Sequence, residues 1–141
     1  MKKYIEEQNE DTKKYFNILS KDFPEFLDDY IYTPQMQKLD GINQICGGYW
    51  RKDNIYDDMY SVLKHSVGVA LIVWNFTHDK KQTIAGLLHD ISSPAFKHCI
   101  DFLNGDAEKQ ESTEELTLEV IKNSKEIMSL LERDKIKLEE I

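Results

Sequence analysis

The stretch DDMYSVLKHSVGVALIVWNFTH, residues 57–78, constrains the fold more than any other part of the chain. Leu63, Val67, Ala70, Leu71 and Trp74 fall on one face at helical spacing, while Val62, Val69, Ile72, Val73 and Phe76 cover the others. A helix apolar nearly all round must be wrapped by its neighbours, so this segment predicts a central helix. Its cap is expected at Asp57 or Asp58.

The remaining segments read as helices packed around it. Residues 3–20 are charged with a sparse apolar stripe (Tyr4, Ile5, Tyr15, Phe16, Leu19), and FPEFLDDYI reads as a short helix opened by Pro24. TPQMQKLDGINQI opens with Thr33 as N-cap and Pro34 at the first helical position, and the paired glycines of CGGYW stop it. DKKQTIAGLLHDI follows the central segment after a short turn. Ser92 or Ser93 with Pro94 then starts PAFKHCIDFLN, which Gly105 ends. STEELTLEVIKN carries a capping box, Ser112 with Glu115, and SKEIMSLLERD is amphipathic. With three prolines, six glycines and no convincing strand alternation, the class is all-α.

Composition narrows the partners. A chain of 141 residues suits one domain with one core. Its 18 basic and 26 acidic side chains give a formal charge of −8, which excludes nucleic acid or an anionic membrane surface as the expected partner. A small anion held in a local positive pocket stays open, as does a homo-oligomer. Cys46 and Cys99 are too few for a disulfide framework or a Cys-rich zinc site, the N-terminus lacks a signal-peptide pattern, and residues 67–73 are too short an apolar run to span a bilayer. These features predict a cytoplasmic protein.

Polar residues interrupt the apolar helices at two places. His65 lies inside the central segment, and His89 and Asp90 end the next one, in AGLLHDISSPAF. At ~1.5 Å rise per residue, the path from His65 to the end of its helix matches the return path of about 10 residues to His89. The two imidazoles can therefore meet at one level with Asp90 beside them. Imidazole and carboxylate are good ligands for zinc, iron, manganese or nickel. The plainer reading makes each residue structural: His65 a satisfied core histidine, His89 bonded to its own helix C-terminus, Asp90 a cap for the helix starting near Ser92.

The pattern H…HD, with the first histidine in KHSVGVAL and the pair in AGLLHDISSPAF, resembles the HD-domain metal-dependent phosphohydrolase superfamily. TPQMQKLDGINQICGGYW looks like the TPxxQRLxxIxQ segment of its deoxynucleoside-triphosphate triphosphohydrolase branch, and HDISSPAFKH is similar to that branch's HDIGHGPFSH. The resemblance covers roughly residues 30–115. It implies a single HD-type helical domain over residues 1–141, with about six to seven helices. It also implies hydrolysis of a small, nucleotide-like phosphoester with a divalent ion (manganese, iron, nickel, zinc or magnesium). His65, His89 and Asp90 match three of the four usual metal ligands. His98 and Asp101 match positions of the phosphate-binding and catalytic cleft, Asp101 to orient or deprotonate water and His98 to bind phosphate or donate a proton. Gln44 matches a glutamine near the nucleotide sugar.

The chain also departs from that branch. Val62 stands where the branch has an arginine, Ser93 and Gln110 where it has histidines. These departures predict poor hydrolysis of deoxynucleoside triphosphates and leave a simpler phosphomonoesterase or phosphodiesterase, or a non-catalytic ligand-binding or regulatory domain, as the expectation. A helical interaction module with a structural His-Asp pair is the blandest alternative. The family's fourth ligand is an aspartate on a later helix. Residues 116–141 contain only Asp134 as an aspartate, in a charged stretch expected to lack core-like surroundings and not to be that ligand; the expectation is then either a C-terminally truncated domain or a natural form that stops early, each with an open coordination position or an incomplete site.

Overall fold

A computed structural model describes residues 3–44, 60–94 and 116–141. Among these the chain forms eight α-helices, two short 3-10 turns and no strand, which bears out the all-α class. The expected caps at Asp57 or Asp58, the helix over residues 94–104 beyond its first residue, the Ser112–Glu115 box, and Cys46, Cys99, His98, Asp101 and Gln110 lie outside the described residues.

The N-terminal segment is two helices rather than one. Helix α1 (Tyr4–Glu7) ends where Gln8 turns extended, and Asn9 starts α2 (Glu10–Leu19) by accepting the Thr12 N–H at 2.8 Å. An asparagine that satisfies an orphan amide favours a restart over continuation. Tyr4 and Phe16 of the expected stripe are buried. The buried Asp28 carboxylate of α3 (Phe26–Ile31) accepts the Tyr4 N–H at 2.9 Å and so ties α1 to α3.

The next helix is shorter than its sequence pattern. Helix α4 covers Pro34–Gln37 and passes into a 3-10 turn, Lys38–Gly41. Thr33 occupies the N-cap position but its hydroxyl donates backwards to the Tyr30 carbonyl at 2.7 Å, so no side chain caps α4. The Asp40–Gly41 pair, which favours turns, ends it. Asn43 then pairs with Ser61 in an isolated antiparallel bridge, with Val62 N–H on the Ile42 carbonyl (2.8 Å) and Gln44 N–H on that of Tyr60 (2.9 Å).

Helix α5 (Val62–Thr77) is the central element, but only its first half is enclosed. Val62, Leu63, Ser66, Val67, Gly68, Ala70 and Leu71 are buried, whereas Ile72 is exposed and Phe76 is 81% exposed. The second half emerges from the bundle with one apolar face toward solvent. Ser61 caps it by accepting the Lys64 N–H (3.2 Å) and donates to Asp40 (2.8 Å). His78, at φ 49°, takes the left-handed conformation that ends helices, and its N–H bonds the Trp74 carbonyl. Asp79 then caps α6 (Lys80–Leu88) through the Gln82 N–H. A Cβ at Gly86 would lie 3.2 Å from Val73 Cγ2 and 3.5 Å from Val69 Cγ1, so the glycine sets how closely α6 approaches α5.

The C-terminal helices α7 (Thr117–Asn123) and α8 (Lys125–Arg133) are separated by Ser124, which caps α8 through the Ile127 N–H. Ile121, Ile127, Leu131 and Ile136 join the core. The expectation of a tail without core-like surroundings is therefore corrected. Asp134 is only 8% exposed and receives Tyr30 Oη (2.9 Å), Lys80 Nζ (2.8 Å) and Arg133 Nε (3.1 Å), which fastens the end of α8 to α3 and α6. The charged residues flanking it hid this role, because the apolar partners Leu131 and Ile136 are few and spaced across a turn.

Candidate metal centre

The α5–α6 hairpin positions the site. His65 is the fourth residue of α5, and His89 follows the last residue of α6. The two-residue connection sends α6 back along α5, and the two imidazole centroids come to 5.2 Å. Asp90 completes the group: its Oδ2 lies 3.4 Å from His89 Nε2 and 3.6 Å from His65 Nε2. One ligand atom from each of the three residues can be chosen so that all lie within 4.8 Å of one another.

The ring of His89 is oriented by its own helix. Its Nδ1 stands 2.8 Å from the Gly86 carbonyl. A carbonyl only accepts, so Nδ1 carries a proton and Nε2 is the nitrogen whose lone pair the neutral ring offers. This bond also satisfies one of the orphan carbonyls in the last turn of α6. The structural reading of His89 and the ligand reading thus hold together in one ring. Ile91 N–H on the Leu88 carbonyl and Ser93 N–H on that of Asp90 continue the turn and fix the backbone of the pair.

This donor set fits a divalent ion. Bonds of ~2.0–2.2 Å to a tetrahedral ion place ligand atoms roughly 3.3–3.6 Å apart, and both carboxylate–imidazole edges have that length. The three side chains are 27–37% exposed, so they are open to solvent. Asp134 is engaged in its own network and is not a member of the group.

Two grooves flank the cluster. One, of about 430 Å³, runs from His89 and Asp90 toward Thr117, Leu118 and Ile121 of α7. The other, of about 470 Å³, lies between α2 and α5 on the His65 side and is lined by Thr12, Tyr15, Tyr60 and Lys64. Tyr60 stands edge-on to His65, centroids 6.5 Å apart, and its hydroxyl is 3.0 Å from that of Tyr15. Burial, aided by the Tyr15 hydroxyl, pushes the Tyr60 phenol above its usual range and keeps it a neutral donor.

The residues predicted from sequence divide accordingly. His65, His89 and Asp90 are brought together. Gln44 is linked to the His65 side through its backbone bond to Tyr60. His98 and Asp101 lie outside the described residues. Sequence reasoning missed Gly86, Lys64, Tyr15 and Tyr60. Gly86 carried a signal, a glycine three residues before a helix-terminal histidine. The tyrosines, 45 residues apart, carried none.

No family model matches the chain, and no solved structure does. A stretch of 77 residues, 53% of the chain, is 35% identical to an uncharacterized protein, YdhJ, of Bacillus subtilis (strain 168). The chain spans 22% of the length of that relative.

Proposed function

We propose that the chain is a metal-dependent phosphohydrolase of the HD type that acts on a small, nucleotide-like phosphoester. The observation that supports this reading is the convergence of His65 Nε2, His89 Nε2 and the Asp90 carboxylate at ligand spacing. A divalent ion held there supplies water of lowered pKa and polarises a phosphoryl oxygen. The chain's own residues do the rest. Gly86 holds the His89 ring so that its lone pair faces the carboxylate. The grooves on either side give a substrate room to approach the cluster from the α2 side or the α7 side. In this reading Asp101 orients or deprotonates the water, His98 binds phosphate or donates a proton, and Gln44 contacts the sugar.

A second reading, a ligand-binding or regulatory HD domain without catalysis, draws on Val62. That position carries an arginine in the triphosphohydrolase branch, and here it is a fully buried core residue. A valine cannot replace the paired fork that an arginine offers to phosphate oxygens. Manganese-loaded protein is therefore expected to leave deoxynucleoside triphosphates essentially untouched. A screen of phosphomonoesters and phosphodiesters with added manganese separates the two readings. Turnover by the wild type that His89→Ala abolishes supports the enzyme, and metal binding with no turnover of any ester supports the binder.

A further inference from the structure

Among the described residues lining the two grooves at the cluster, Lys64 is the one cation. We propose that the groove between α2 and α5 is the subsite for the phosphoryl oxygens of the ligand, with Lys64 supplying the charge and the Tyr15–Tyr60 pair a second donor. The proposal rests on the phosphoester reading for its ligand, and goes beyond it in naming where the anion sits.

The geometry favours an acceptor-only, anionic group. Gly68 lies one helical turn from both Lys64 and His65 on α5, and the latter two both line the groove. A Cβ at Gly68 would stand 3.3 Å from the Tyr15 hydroxyl and 3.5 Å from that of Tyr60, so the glycine makes room for the two phenols to meet over the groove floor. Two neutral phenols carry two protons, and the single 3.0 Å bond between them uses one. The other proton is left for an outside acceptor. Of the described carboxylates nearby, Asp11 in the same groove pairs with Lys14 at 3.3 Å, while Asp40 and Glu7, on the far side of Lys64, accept from the neutral hydroxyls of Ser61 and Tyr32 and keep their charge outside the groove. In a chain of net charge −8, an anion needs such a local cation to stay bound.

The test titrates inorganic phosphate into the full chain, read by ³¹P line broadening, once with manganese and once with EDTA. Lys64→Met is expected to weaken phosphate binding about tenfold or more in both arms, the loss of one charge-assisted contact. Lys64→Arg should keep it, Tyr60→Phe should weaken it less, and manganese affinity should be unchanged in all three. Phosphate binding by Lys64→Met equal to that of the wild type overturns the proposal, as does a wild type that binds no phosphate. Joint loss of manganese and phosphate binding in Lys64→Met also overturns it, since Lys64 would then support the ligand cluster instead. If the wild type binds no manganese, the phosphohydrolase reading fails, and the EDTA arm still decides the subsite.

Discussion

Replacing Asp134 with asparagine tests whether this carboxylate is structural. The side chain keeps its shape and loses its charge. Burial by itself raises the Asp134 carboxyl, but hydrogen bonds from Arg133, Lys80 and Tyr30 outweigh it and hold the group down at about 2. The unfolded chain has no such partners, so its carboxyl titrates near ~3.9. A folded value below the unfolded one contributes stability that is full above the unfolded value and is lost as pH falls through the folded one. The difference corresponds to roughly 2.6 kcal/mol at pH 7 and about half of that at pH 3. Urea unfolding of wild type and Asp134→Asn at both pH values reads it directly. The gap between the two proteins should narrow on acidification, and manganese binding at pH 7 should be the same in both. A gap that does not change with pH refutes the argument for the charge network. Loss of manganese binding in Asp134→Asn refutes the separation of Asp134 from the metal cluster.

Gly86→Ala forces a methyl against Val73 and is expected to destabilise by about 1–3 kcal/mol in thermal or urea melts, with weaker metal binding because the α6 turn that orients His89 moves. Ser61→Ala removes both the α5 cap and the bond to Asp40 and should cost about 0.5–2 kcal/mol, with Ser61→Asn recovering part of the cap term in the same melts. Leu87→Ala in the α5–α6 core should cost about 2–5 kcal/mol by urea unfolding, since its side chain is fully buried.

The meeting of His65 with His89 was legible because it depends on regular quantities: the rise of a helix and a short connection. The central position of α5 was legible for the same reason, through its apolar spacing. Its exposed far end was not, since a segment apolar nearly all round reads as enclosed along its whole length, and only the length of the helices around Ile72 and Phe76 decides where cover stops. The break at Asn9 and the uncapped start of α4 turned on single side-chain bonds, Asn9 to the Thr12 amide and Thr33 to the Tyr30 carbonyl, which compete locally with regular helix capping and continuation. Asp134 and the Tyr15–Tyr60 pair depend on contacts between residues far apart in the chain, and no local pattern encodes them. The Lys64 groove required both: a lysine readable beside His65, and partners that only the packing of α2 on α5 supplies.

The central claim is that His65, His89 and Asp90 together bind a divalent ion, and a manganese titration followed by electron paramagnetic resonance tests it most directly. The full chain should take up one ion, with affinity falling by at least about tenfold in each of His65→Ala, His89→Ala and Asp90→Ala, and with the imidazole contribution to the spectrum lost in the two histidine variants. Uptake that is absent in the wild type, or undiminished in all three variants, would contradict the account.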